Sequence, residues 1–330
     1  MSNLSVGAAH GKIILIGEHA VVYNKPAIAI PFTEVGAKAI IQEGGNDESG
    51  CRLNCKYFCG PFENAPEPLS GITACVHETL SYLQVEKPNI TIRIESSIPS
   101  GRGLGSSAAI AYAVVKGLFR YYGHQANEDE ILRLAQVAEI FAHGNPSGID
   151  VVAVGSEGPI RFQKGKGAVP LPIGKTLHLV IADTGRFGDT RTAVESIRTL
   201  YEQDRLTTQR SLDLIEDFTY HCEQAMAKGD VKLVGCCLNL AQEELSALGV
   251  SDEGIDRLVD VARDSGALGA KLTGGGRGGC ILALAADEQD ALQLSISLKE
   301  AGATETYISR IGMSQHHYFE KAENERASES

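Results

Sequence analysis

Residues 95–115 read ESSIPSGRGLGSSAAIAYAVV, three glycines and five serines set between a strand-like and a helix-like segment. This stretch constrains the fold more tightly than any other. Before it, Ile90, Ile92 and Ile94 alternate with Thr91, Arg93 and Glu95, the period-two pattern of a strand with one buried face. After it, residues 108–122 are apolar at helical spacing, and residues 128–141 form a second amphipathic helical pattern. The chain must turn from strand to helix across a short glycine-rich loop and then add another helix. A helix followed by a second strand, as a βαβ unit requires, does not fit that order.

The bulk composition narrows what such a unit can serve. The chain has 330 residues, 43% hydrophobic and 22% charged, so it can bury a sizeable core and form two modest domains. A net charge of −12 disfavours a nucleic-acid partner, because binding a phosphate backbone calls for a basic face. No apolar run approaches the ~18–20 residues of a membrane span, and MSNLSVGAAHGK lacks the regions of a signal peptide. A cytoplasmic protein with no membrane partner is the expectation. The eight cysteines do not form a secreted disulfide framework, and reduced thiols are expected. Cys51, Cys55 and Cys59 recur every four residues but lack a C-x-x-C pair and a fourth ligand, which argues against zinc.

Other elements follow from periodicity and punctuation. Residues 12–16 (KIILI), closed by Gly17, read as a buried strand, and residues 28–32 suggest another. Residues 43–70 are rich in Gly, Pro, Asn and acids, which predicts an exposed hairpin or long connection before a helix over 71–84. The Gly-, Pro- and Lys-studded stretch 155–176 places a domain boundary near its end, dividing the chain into 1–176 and 177–330. Beyond it, residues 177–182 read as a strand, 190–247 as mainly helices, 270–284 as a glycine loop with a strand, and 306–312 and 317–320 as strand material ahead of a polar tail.

Four segments carry chemistry. P-S-G-R-G-L-G-S-S-A is no Walker A loop, since no G-K-[ST] follows, and it meets the dinucleotide fingerprint only in a relaxed form. What remains is a loop whose glycines expose backbone N–H groups ahead of a helix N-terminus, features that suit a polyphosphate and equally describe a tight turn with ordinary capping. In G-K-I-I-L-I-G-E-H-A-V-V-Y, Lys12 heads a buried strand and Glu18 and His19 follow its turn, either as site residues or as an edge lysine and a solvated turn. Glu139 and Asp150 flank a loop in which Asn145 and Pro146 form a helix-start signature. The two carboxylates either serve a hard cation and a proton transfer, or are a solvated-face acid and a first-turn acid. K-L-T-G-G-G-R-G-G-C, residues 271–280, has five glycines in six positions, which permits close backbone approach or a flexible hairpin.

In this order the four segments resemble the GHMP kinase superfamily, named for galactokinase, homoserine kinase, mevalonate kinase and phosphomevalonate kinase. The second segment, G-K-I-I-L-I-G-E-H-A-V-V-Y, and the H-G-N-P-S-G-I-D of the third are similar to its mevalonate kinase branch. The resemblance implies an α+β, two-domain GHMP kinase fold, with a ribosomal-S5-like N-terminal domain and a ferredoxin-like C-terminal domain. It implies ATP-dependent phosphorylation of the C5 hydroxyl of mevalonate, in the route to isoprenoids, with Mg²⁺ as cofactor.

Carried over by motif, Ser100, Gly101, Arg102, Gly103, Leu104, Gly105, Ser106, Ser107 and Ala108 would hold the ATP phosphates. Ser106 and Glu139 would hold Mg²⁺. Asp150 would be the catalytic base, with Lys12 beside it stabilising charge as the phosphoryl group moves. Glu18, His19, Thr190 and Gly275 would lie at the mevalonate site. The alternatives are another GHMP small-molecule kinase, of phosphomevalonate, sugar or homoserine type, or a non-catalytic binding protein of the same fold. Oligomeric state stays open, with a homodimer allowed. Asn24, Gly275 and Arg277 depart from the usual pattern: Asn24 tolerates a positive φ, and Arg277 either contacts an anion or lies on the surface. The short chain resembles the bacterial branch.

Overall fold

The computed structural model describes residues 4–45, 50–143 and 147–312. Two long strands, β1 (Leu4–Ile16) and β2 (Ala27–Glu43), pair with each other and run through both of the compact units into which the chain divides. The first unit comprises the described parts of Met1–Ile13 and Pro31–Gly155; the second comprises those of Ile14–Ile30 and Ser156–Ser330. This departs from the division expected at 176. Packing breaks the chain at Gly155, and residues 14–30 pack with the later half of the chain.

In the first unit, β2 continues into a sheet with β3 (Gly50–Cys55), β4 (Phe58–Pro61) and β5 (Asn89–Ser96), in the order β4-β3-β5-β2. Ile92 of β5 stands opposite Ile41 of β2 on one side and Leu53 of β3 on the other, and all three are fully buried. That layer is why the alternating isoleucines make a strand. Helices α1 (Ser70–Tyr82), α2 (Ser106–Tyr121), α3 (Glu128–His143) and α4 (Ile149–Gly155) pack on one another, with α2 in contact with each of the other three. Of the two expectations over 43–70, the hairpin is the one that forms: β3 and β4 pair antiparallel, Arg52–Cys55 against Phe58–Pro61. The short alternation Cys51, Leu53 buries one face of CRLNC within an otherwise polar segment.

In the second unit, the Gly-, Pro- and Lys-studded stretch forms a hairpin, β6 (Ile160–Gln163) with β7 (Gly167–Pro170), and β6 pairs with Ala27–Ala29 of β2. The rest is built on an antiparallel sheet of β8 (Leu177–Asp183), β9 (Gly269–Thr273), β10 (Cys280–Ala285) and β11 (Glu305–Ile311), in the order β11-β8-β10-β9. Numbered along the chain, that is 4-1-3-2, the strand order of a ferredoxin-like domain.

Helices α5 (Thr190–Gln203), α6 (Arg205–Lys228), α7 (Val231–Ala247) and α8 (Glu253–Asp264) lie between β8 and β9 in sequence, and α9 (Glu288–Glu300) lies between β10 and β11. Each begins at an aspartate, Asp189, Asp204, Asp230, Asp252 or Asp287, whose carboxylate accepts a first-turn backbone N–H. Leu212, Ile215, Leu245, Leu258, Leu294 and Leu298 pack on Val180, Leu272 and Ile281 to form the core. The helix signature at Asn145 and Pro146, the strand expected over 317–320 and the polar tail lie outside the described residues.

Candidate active site

In the first unit, the glycine-serine loop and Lys12 form one structure. The Lys12 backbone N–H donates to the Leu104 carbonyl at 3.0 Å, and Leu104, 1% exposed, plugs the loop into the core. Gly105 stands at the N-cap of α2 with φ +78°. A Cβ there would lie 2.7 Å from Lys12 Cγ and 3.1 Å from Val154 Cγ1, so only glycine combines that backbone with passage of the lysine side chain. Gly101 and Gly103 also have positive φ.

Ser106 and Ser107 are the first two residues of α2, both half-buried, and the cap residue is Gly105. The serines therefore do not cap the helix as the alternative reading required. Their hydroxyls stand at the positive end of its dipole, beside the backbone N–H groups of its first turn. Ser100 and Gly101 are exposed, Arg102 and Gly103 half-buried, and Ala108 buried.

Lys12 is 2% exposed, and its Nζ lies 2.9 Å from Oδ1 of Asp150, whose side chain is 35% exposed. The pair is asymmetric: the lysine is committed to the interior, whereas the carboxylate in the first turn of α4 still meets solvent. Glu139, on α3, is 3% exposed, so it does not lie on a solvated face. A serine hydroxyl and a buried carboxylate are hard oxygen donors. Few in number, they fit Mg²⁺, which keeps most of its shell as water and phosphate oxygens. They do not fit a closed protein cage, and among the described residues no group of three or more His, Cys, Asp or Glu could form one.

In the second unit, Glu18 and His19 are buried, at 3% and 5% exposed. His19 has φ +61° and ψ −45°, and the Ala20 N–H donates to the Glu18 carbonyl at 2.6 Å, so His19 sits at the centre of a γ-turn of the rare positive-φ kind. Its Nε2 lies 3.1 Å from the Gly275 carbonyl. Burial, aided by the nearby charges of Lys271 and Arg277, lowers its pKa to about 4. At neutral pH the ring is therefore uncharged, Nε2–H donates to Gly275, and Nδ1 is left as an acceptor.

Thr190, exposed at the start of α5, faces Gly275: a Cβ on that glycine would come 2.2 Å from Thr190 Oγ1. Arg277, at φ +53°, is tied to the protein: Nε donates to the Gly249 carbonyl at 3.2 Å and Nη2 to Ser196 Oγ at 2.9 Å. Asn24 adopts φ +62°, as its residue type allows.

Sequence reasoning missed Lys271. It is fully buried on β9, its Nζ donating to Glu18 Oε1 and, at 2.5 Å, to the Leu272 carbonyl. Burial pulls its pKa below the ordinary lysine value, against the opposing pull of Glu18. The available signal was a lone lysine in the strand GAKLT, since a charge in a buried strand must find a partner. Thr273 was missed too; its Oγ1 accepts from the Ile14 N–H at 3.2 Å and donates to the Ile14 carbonyl at 3.0 Å, tying β9 to the end of β1.

A phosphate-type loop joined to a lysine–aspartate pair, in a chain whose second sheet is ferredoxin-like, agrees with the family comparisons. The GHMP kinases N terminal domain matches residues 71–158, and GHMP kinases C terminal matches residues 222–304. The chain belongs to the GHMP kinases. Among curated proteins it is 32% identical to the mevalonate kinase of Thermococcus sibiricus, over 93% of this chain and 97% of the relative. It is 34% identical to that of Aeropyrum pernix, over 86% and 89%. The mevalonate kinase of L. major, solved in complex with R-mevalonate, superposes with a TM-score of 0.80 over 95% of this chain and 96% of that one, at 24% identity, which speaks for the fold alone. These curated relatives are archaeal and nearly co-extensive with the chain, so its shortness does not support a bacterial type.

Proposed function

We infer that the protein transfers the γ-phosphoryl group of ATP to the C5 hydroxyl of mevalonate, yielding 5-phosphomevalonate. Its curated relatives along most of the chain are mevalonate kinases. The structural observation that carries the reading is the 2.9 Å Lys12–Asp150 pair, held against the glycine-serine loop by the Lys12–Leu104 hydrogen bond. Phosphoryl transfer to an alcohol needs alignment and charge stabilisation more than covalent catalysis. Backbone N–H groups of residues 100–108 receive the phosphates at the start of α2. Asp150 orients the substrate hydroxyl and accepts its proton, and Lys12 stabilises the charge that develops on the reacting oxygens. Ser106 and Glu139 would hold Mg²⁺, which neutralises phosphate charge when bound. On the second unit, Glu18, His19, Thr190 and Gly275 serve mevalonate. A cytoplasmic location, where ATP is supplied, goes with this reading.

The test is a kinase assay with Mg·ATP over mevalonate, phosphomevalonate, galactose and homoserine. Mevalonate is expected to have the highest kcat/KM. Preferred turnover of any other member would overturn the substrate, and turnover of none would favour a binding protein of the same fold.

A further inference from the structure

Lys271 has no part in the chemistry above, yet its buried ion pair with Glu18 adjoins the positive-φ backbone at His19. Lys271 is 0% exposed on β9, between Ala270 and Leu272, which are equally buried. Its ammonium reaches Glu18, 253 positions away in sequence. The Glu18 carbonyl closes the γ-turn that puts His19 at φ +61°, a conformation that persists only where the surroundings over-determine it.

Three sets of contacts do so. Val21 N–H donates to the Gly17 carbonyl at 3.1 Å and Val22 N–H to the His19 carbonyl at 3.0 Å, with Ala20 buried in the core. The His19 ring is held by the Gly275 carbonyl. The Glu18 side chain is held by Lys271. For stability alone, apolar side chains of similar volume would serve as well as a buried ion pair.

We propose that Lys271 is a positioning residue: by anchoring the Glu18 carboxylate it holds the γ-turn and aims His19 toward the phosphoryl acceptor. The role in substrate binding rests on the functional reading above, in which His19 serves mevalonate.

Lys271→Met removes the anchor. The KM for mevalonate is expected to rise at least about tenfold while the KM for ATP stays within about twofold, since the phosphate loop belongs to the other unit. The ¹³C-labelled His19 ring, followed by NMR without substrate, is expected to leave its wild-type chemical shift and titrate closer to an ordinary histidine. Should Lys271→Met fail to fold, because it leaves Glu18 buried without its cation, the double variant E18Q/K271M removes both charges and is read by the His19 spectrum alone, since Glu18 itself is placed at the mevalonate site. A folded variant with wild-type mevalonate KM and unmoved His19 signals overturns the proposal. So does an equal rise in both KM values with His19 unmoved, which would mark general destabilisation. If the wild-type protein does not phosphorylate mevalonate, the functional reading falls, and the His19 spectrum still decides whether Lys271 holds the turn.

Discussion

The Lys12–Asp150 pair predicts opposite stability effects from its two halves. At 2.9 Å, in the effective dielectric of about 20 that suits sites near a protein surface, two unit charges attract by about 6 kcal/mol. Most of that is offset: burying the ammonium costs several kcal/mol, and a carboxylate left 35% exposed is partly screened by water. Lys12→Met removes the buried charge and leaves an aspartate that solvent can hydrate, so unfolding free energy should change by no more than about 1 kcal/mol in either direction. Asp150→Asn strands the ammonium at 2% exposure, and stability should fall by about 3 kcal/mol, roughly 4 °C in Tm for a chain of 330 residues unfolding as one. Turnover should fall in both, by about 10²–10³ for Lys12→Met, the scale of one lost charge-stabilising donor. Thermal unfolding and steady-state kinetics on the two variants check this. A Tm loss for Lys12→Met equal to that of Asp150→Asn, or a turnover loss under tenfold, would refute the assignment of a buried catalytic lysine facing a solvated base.

Further outcomes follow from the loop and from His19. Gly105→Ala forces a left-handed residue with a side chain, at about 1–2 kcal/mol, and sets a methyl group 2.7 Å from Lys12 Cγ; it should lower Tm by a few degrees and turnover by more than tenfold, and wild-type kinetics would exclude the loop–lysine coupling. His19 has a folded-state pKa of about 4, below the 6.5 of the unfolded chain, so its contribution is present above pH 6.5 and lost as pH falls toward 4. That contribution is ~3 kcal/mol as an upper bound. Urea unfolding at pH 7 and pH 4.5 should show a larger loss in wild type than in His19→Gln, and equal losses would show that the ring is not buried neutral.

Much of the fold was legible because it is local. The alternation at Ile90 and Ile92 and the apolar periods of α2 and α3 place those elements within a few residues of where they lie. Elements whose signal is long-range were hidden. Strand β3 was legible only as half of an exposed hairpin; with Cys51 and Leu53 as its sole apolar alternation, its parallel pairing with β5 was not. The glycine- and lysine-rich stretch after Gly155 reads as leading to a domain boundary and becomes a hairpin because Ala27–Ala29 accepts β6. At the candidate site, motifs named the residues, while their burial came from packing. Glu139 and Glu18 are both acids beside loops in sequence, and only the fold puts each out of reach of solvent.

By itself the sequence determined the abrupt passage from strand to helix through Gly101, Gly103 and Gly105, because positive φ angles and room for a neighbouring side chain are properties of glycine at its own position. It likewise set the helix starts, where an aspartate satisfies the amides that follow it. Which charges meet was decided by tertiary structure alone. Lys12 finds Asp150, and Lys271 finds Glu18 under a strained histidine, because a lysine carried into a core by its strand must be paired there, and its partner is whichever carboxylate the folded chain brings within reach.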